Sequence, residues 1–172
     1  EEMFAQWQGR KYCVFFNSGS SANLALIQSM LNTGKLQKWD KVAFSSLTWA
    51  TNPMPLIQLG LEPIPVDVEL DTLNLSLELF KKTVEKHTIK ALFITHLLGW
   101  CDASFAEIEQ YCKNNDILLL EDNCESMGTI FKGKKLWNYS LASTFSTYVG
   151  HHMSTIEGGM VCTDDVEFYD ML

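Results

Sequence analysis

The stretch Ile117-Leu118-Leu119-Leu120-Glu121-Asp122-Asn123-Cys124-Glu125-Ser126 decides the fold. Four consecutive aliphatic residues do not alternate as a strand with one wet face must. They fit a strand buried on both sides, the mark of a parallel sheet covered by helices. Similar short runs, rich in β-branched and aromatic residues, recur at Tyr12 to Phe16, Lys41 to Phe44, Pro63 to Val68, Ala91 to Thr95, Ala142 to Ser146 and Met160 to Thr163. Between several of them lie stretches with helical spacing: Ser21 to Asn32, Ser76 to Lys86, and Phe105 to Asn114, in which Phe105, Ile108 and Tyr111/Cys112 mark one face. Alternating strand and helix predicts an α/β fold with a mostly parallel sheet flanked by helices. No internal repeat or Pro/Gly linker divides the chain, so residues 1–172 read as one domain.

Composition narrows the function. The 172 residues are 47% hydrophobic and 20% charged, as in ordinary globular domains. No apolar run reaches the roughly 18 residues that span a bilayer, and Glu1-Glu2-Met3-Phe4 lacks a signal pattern. A cytoplasmic protein without a membrane partner is the expectation. The formal charge is −8. No basic cluster exceeds Lys132, Lys134 and Lys135, which suit a turn better than a nucleic-acid surface. Five scattered cysteines with no C-x-x-C pair read as reduced thiols. The chain opens inside an apparent helix and closes on the amphipathic segment Val166 to Leu172 without a stop signal, so a fragment of a longer protein is expected.

In a parallel sheet, ligands bind beyond the carboxyl ends of the strands, so the polar residues that follow each run are the ones to weigh. Asn17-Ser18-Gly19-Ser20-Ser21 follows a strand and opens a helix, which suits an anion at free backbone N–H groups. The plain alternative is that Ser18 or Ser20 only caps the helix. Trp49, in Thr48-Trp49-Ala50, either stacks on a flat ligand or packs in the core. Asp122, ending the most hydrophobic run, is either a structural ion-pair partner or an acid facing a cofactor's ring nitrogen. The loop from Ser146 to Gly159 holds His151 and His152. With no H-E-x-x-H or C-x-x-C spacing, proton transfer suits them better than zinc.

Six of these motifs occur together and in order: Ser18-Gly19-Ser20, Thr48-Trp49, Gly60 through Asp67, His96-Leu97-Leu98-Gly99, Glu121-Asp122 and Glu157-Gly158-Gly159. In this order the chain resembles the DegT/DnrJ/StrS family of pyridoxal-phosphate enzymes acting on nucleotide-linked keto sugars, and the resemblance covers nearly all of it. It implies the type I, aspartate aminotransferase-like fold, with residues 1–172 as the cofactor-binding large domain and the extreme N-terminus and a C-terminal small domain lying outside. It further implies that Ser20, Ser21 and Ser146 hold the cofactor phosphate, Trp49 stacks on the ring, Asp122 pairs with the pyridine nitrogen and Glu125 lies near the ring hydroxyl. A homodimer with shared sites follows from the same likeness.

One departure is informative. Family aminotransferases carry a lysine five residues after the Ser146 position, and this chain carries His151 there, with no lysine after Lys135. An imidazole cannot link covalently to the cofactor, but with an unperturbed pKa of about 6.5 it can still move protons. The substitution resembles the family's 3-dehydratase branch, which acts on nucleotide-linked 4-keto-6-deoxyhexoses for deoxysugar, polysaccharide and O-antigen synthesis. It implies pyridoxal or pyridoxamine 5′-phosphate held noncovalently, with His151 as the catalytic base. One kind within the branch regenerates the amine cofactor from L-glutamate. The other adds a 2Fe–2S cluster and a reductase partner, and Cys124 falls where that kind has its first cluster cysteine. An aminotransferase with an atypical loop and a noncatalytic relative that binds cofactor or sugar nucleotide are the competing readings.

Overall fold

A computed structural model describes residues 1–136 and 138–172. The chain runs α1 (Glu2–Gln8), β1 (Tyr12–Phe16), α2 (Gly19–Asn32), β2 (Lys41–Ser45), α3 (Pro53–Gln58), β3 (Glu62–Val66), α4 (Leu77–Val84) and β4 (Ile89–Thr95). It continues through α5 (Phe105–Asn114), β5 (Leu118–Asp122), the short strands β6 (Ile130–Phe131) and β7 (Lys134–Lys135), β8 (Ala142–Ser146), β9 (Gly159–Thr163) and α6 (Val166–Met171). Seven strands form one sheet in the order β1-β9-β8-β5-β4-β2-β3. Neighbours are parallel except at β9, which runs antiparallel to both β1 and β8. The expected mostly parallel sheet is therefore present, with one reversed strand inside it.

Helices cover both faces because the strands present apolar side chains to both. On one face Ala22, Leu26, Ile27 and Met30 of α2, Leu56 of α3 and Phe168 of α6 pack on Phe93, Leu120 and Val161. On the other, Ala5 of α1, Phe80 of α4, and Phe105, Ile108 and Cys112 of α5 pack on Leu92, Ile94 and Leu119. Phe105, Ile108 and Cys112 are spaced three and four apart, as a single buried helical stripe requires.

Two strand boundaries differ from the hydrophobicity reading for local reasons. β3 ends at Val66 because the Asp67 carboxylate accepts from the N–H of Val68 and turns the chain. β5 runs on through Glu121 and Asp122, which pair with Ile94 and Thr95 and are buried although both are acidic. The lysine cluster flanks a two-residue hairpin turn, where Lys132 (φ 46°) and Gly133 (φ 80°) join β6 to β7.

Asp165 caps α6, accepting from the N–H of Phe168, and lies 3.0 Å from the Lys35 ammonium. The hydrogen bond from Lys35, and then that from Phe168, hold its acid below the ordinary aspartate value of 3.8. A lowered pKa stabilises the folded chain fully above the unfolded value of 3.8, and the contribution is lost as pH falls through the folded value beneath it. Thermal unfolding followed against pH should therefore show a loss of stability below pH 3.8 that is smaller in Asp165→Asn.

Candidate active site

The parallel strands β4, β5 and β8 end on the same side of the sheet, and the N-termini of α2 and α3 open beside them. Together they enclose a cavity of about 890 Å³. That size is within the usual range for a small-molecule site. Its wall includes Ser20, Trp49, Asp122, Glu125, Ser146 and His151. These residues are spread across more than 130 positions of sequence, and the strand ends bring them together.

The helix opening is built from glycine for a steric reason. Ser18 caps α2, its hydroxyl accepting from the N–H of Ser21 while its carbonyl accepts from that of Ala22. The N–H groups of Gly19 and Ser20 are left without an acceptor among the described residues, an arrangement suited to an anion. A Cβ on Gly19 would lie 2.7 Å from Ser146 Cβ, and one on Gly159 would lie 2.3 Å from the carbonyl oxygen of Ser18. Only glycine lets the helix, β8 and β9 come this close. Ser21 does not line the cavity; its hydroxyl accepts from that of Ser18, which makes it part of the cap.

Asp122 sits on the cavity wall, 4% exposed, with its carboxylate oriented by three donors. Oδ2 accepts from Asn23 at 3.0 Å and Asn52 at 2.9 Å, and Oδ1 accepts from the backbone of Cys124 at 2.9 Å. Asn23 lies on α2 and Asn52 caps α3, so both neighbouring elements aim one carboxylate. Neither asparagine stands out in the sequence; each matters only through a partner 70 or more positions away. Trp49 is 76% exposed and stands at the rim with its indole free to cover a ligand. Glu125 accepts from the N–H of Leu98 at 3.0 Å, which joins the Leu97–Gly99 turn to the loop after β5.

His151 stands at the far end of the loop that joins β8 to β9. The loop is held by Thr147 N–H on the Gly158 carbonyl, Thr155 N–H on that of Thr147 and Val149 N–H on that of Ile156. His151 donates its own N–H to the Tyr148 carbonyl, and the Tyr148 ring meets the imidazole edge-on. No lysine lines the cavity among the described residues.

Cys124 also lines the cavity. Burial, and then the Asp122 carboxylate, push its thiol well above the ordinary range, the reverse of what a thiolate ligand needs. Among the described residues no group of three or more His, Cys, Asp or Glu side chains is placed to hold a metal. Any cluster on Cys124 would need its other ligands from elsewhere. None of the described helices is long and apolar enough to cross a membrane.

The model of the DegT/DnrJ/EryC1/StrS aminotransferase family matches residues 1–172. The GDP-4-keto-6-deoxy-D-mannose 3-dehydratase of Escherichia coli O55:H7 is 42% identical over the whole chain, which covers 44% of that protein. The crystal structure of an E. coli GDP-4-keto-6-deoxy-D-mannose-3-dehydratase with bound hydrated PLP superposes with a TM-score of 0.93 at 40% identity, over all of this chain and 44% of that one. A GDP-4-keto-6-deoxymannose-3-dehydratase with a trapped PLP-glutamate geminal diamine superposes at 0.92 and 40% identity, covering 98% of this chain and 44% of that one. The fold is therefore that of the PLP-dependent aminotransferases. The chain spans less than half the length of these relatives.

Proposed function

This chain belongs to the DegT/DnrJ/EryC1/StrS aminotransferase family, and from that premise we propose that the full-length protein is a pyridoxal-phosphate-dependent 3-dehydratase of a nucleotide-linked 4-keto-6-deoxyhexose. The observation that carries the reading is a cavity that gathers Asp122, Trp49 and an open helix N-terminus but offers His151 and no lysine. The relatives' names support it: two are GDP-4-keto-6-deoxymannose 3-dehydratases with pyridoxal phosphate or its glutamate adduct bound.

The residues fit the cofactor on their own geometry. The unfilled N–H groups of Gly19 and Ser20, with the Ser146 hydroxyl beside them, suit a phosphate, and the glycines keep a Cβ out of that cradle. Asp122, fixed by three donors, would hold the pyridine nitrogen protonated, and Trp49 would cover the ring. The chemistry such a cofactor supplies when bound in its amine form is a primary amine that joins the sugar ketone and a ring that takes up electrons.

His151 then has one task, to accept a proton as the C3 hydroxyl leaves, and as an imidazole it can return that proton. Because its side chain carries no primary amine, it cannot displace an aminosugar from the cofactor, so amino transfer loses its usual exit. L-glutamate is the proposed source of the amine, as in the relative that holds its adduct. A small domain and a second identical subunit would complete the site; a reductase partner belongs to the cluster-bearing alternative and not to this proposal.

The full-length protein, supplied with pyridoxal phosphate, L-glutamate and a panel of nucleotide-linked 4-keto-6-deoxysugars, should give a product lacking the C3 oxygen by mass spectrometry. An amino group gained at C4 would instead establish an aminotransferase.

A further inference from the structure

His96 and Glu121 form a fully buried pair with no part in the chemistry above. Their side chains are 0% exposed, and His96 Nε2 lies 3.0 Å from Glu121 Oε2. His96 Nδ1 has no hydrogen-bond partner among the described residues, so the ring is held by this contact and by the edge of Phe105. Burying an imidazole and a carboxylate together costs desolvation that the contact scarcely repays, and well-packed apolar residues often replace such a pair without loss of stability. Stability therefore does not account for it.

Its position does. Side chains alternate along β4 and β5, so Thr95 and Asp122 face the cavity side while His96 and Glu121 face α5 on the opposite side. Thr95 and Asp122 are the last paired residues of the two strands, and one long backbone bond follows, from His96 N–H to the Asp122 carbonyl at 3.2 Å. Beyond that rung the chains part, His96 into the Leu97–Gly99 turn and Asp122 into the loop carrying Glu125. The pair ties the strands together on the reverse side of the sheet just where they separate.

We propose that His96 and Glu121 are positioning residues for cofactor binding: their contact fixes the backbone from which Asp122 projects, while Asn23 and Asn52 fix only its carboxylate. It also sets the start of the turn whose Leu98 N–H holds Glu125. The inference rests on the proposed cofactor reading and deepens it.

The test uses full-length protein and measures cofactor affinity by absorbance titration, together with the unfolding temperature of the cofactor-free form. In the double variant His96→Phe/Glu121→Leu, which keeps the volume and removes the polarity, the unfolding temperature should be unchanged or higher. Its cofactor dissociation constant should nonetheless rise roughly ten- to hundredfold, the scale seen when residues supporting a ligand-holding side chain are removed. Glu121→Gln, which keeps an acceptor for the imidazole, should bind within a few-fold of wild type. If the double variant folds and binds cofactor with wild-type affinity and an unshifted band, the pair is merely structural and the inference is overturned. If it fails to fold, stability does account for the pair and the inference is equally overturned. A wild-type protein that shows no cofactor band would overturn the parent reading, and this one with it.

Discussion

Replacing His151 by asparagine is expected to lower kcat of the full-length enzyme by about 10²- to 10⁴-fold, the usual contribution of a positioned general base. Cofactor affinity should stay close to wild type, because the phosphate cradle and Asp122 are built from other elements. The split matters, since a residue that only held the loop would move both quantities. His151→Lys gives the complementary result. It places a primary amine where the cavity has none, so the cofactor should become trapped on the protein by borohydride, and an aminosugar should appear at the expense of the deoxygenated product. Mass spectrometry of protein and product reads both effects. Undiminished dehydration by His151→Asn would show that the proton goes to another group, with His152 on the same cavity wall the first to test.

That prediction was open to the sequence because it needs only a spacing: a histidine five residues after a serine that ends a strand. The strand pattern was legible for the same reason, since buried parallel strands write themselves as continuous apolar runs. What the sequence could not convey is convergence. Asn23 and Asn52 look like ordinary polar residues of a helix and a loop, and their meaning lies in one carboxylate that both reach across the fold. Glu121 misled in a different way. An acidic residue after a leucine run reads as the end of the strand and the start of solvent, yet here the strand continues and the side chain is fully buried against His96. Hydrophobicity registers the cost of burying a charge but not the partner that offsets it. Ser21 shows the limit of motif reading: three neighbouring serines look alike in the sequence, and only the first residue of the helix, Gly19, determines which one caps and which one faces the cavity.

Gly159→Ala should be the most damaging of the single-carbon changes around the site. The added Cβ would meet the Ser18 carbonyl oxygen at 2.3 Å and the Gly19 nitrogen at 2.6 Å. Both atoms are backbone, so no side chain can rotate aside, and the contact is relieved only by moving β9 away from the start of α2. Neither moves easily. β9 is paired on both edges, to β1 and β8, and α2 is wedged over the sheet by Leu26, Ile27 and Met30, all fully buried. Overpacking of this kind costs about 1–3 kcal/mol, and rigid surroundings put this site near the upper end. Gly34→Ala makes a fair control. Nothing lies within 4 Å of its Cβ position, and its φ of +70° leaves only the backbone strain of a left-handed residue, about 1 kcal/mol. Urea unfolding should separate the two variants by that margin. Because the displaced backbone at Gly159 includes the Gly19 N–H of the anion cradle, this variant should also bind cofactor more weakly, whereas Gly34→Ala, at the far end of α2, should bind as wild type. Equal losses of stability and unaltered cofactor binding in both would show that the helix start is free to shift, and that its closeness to β9 does not matter to the site.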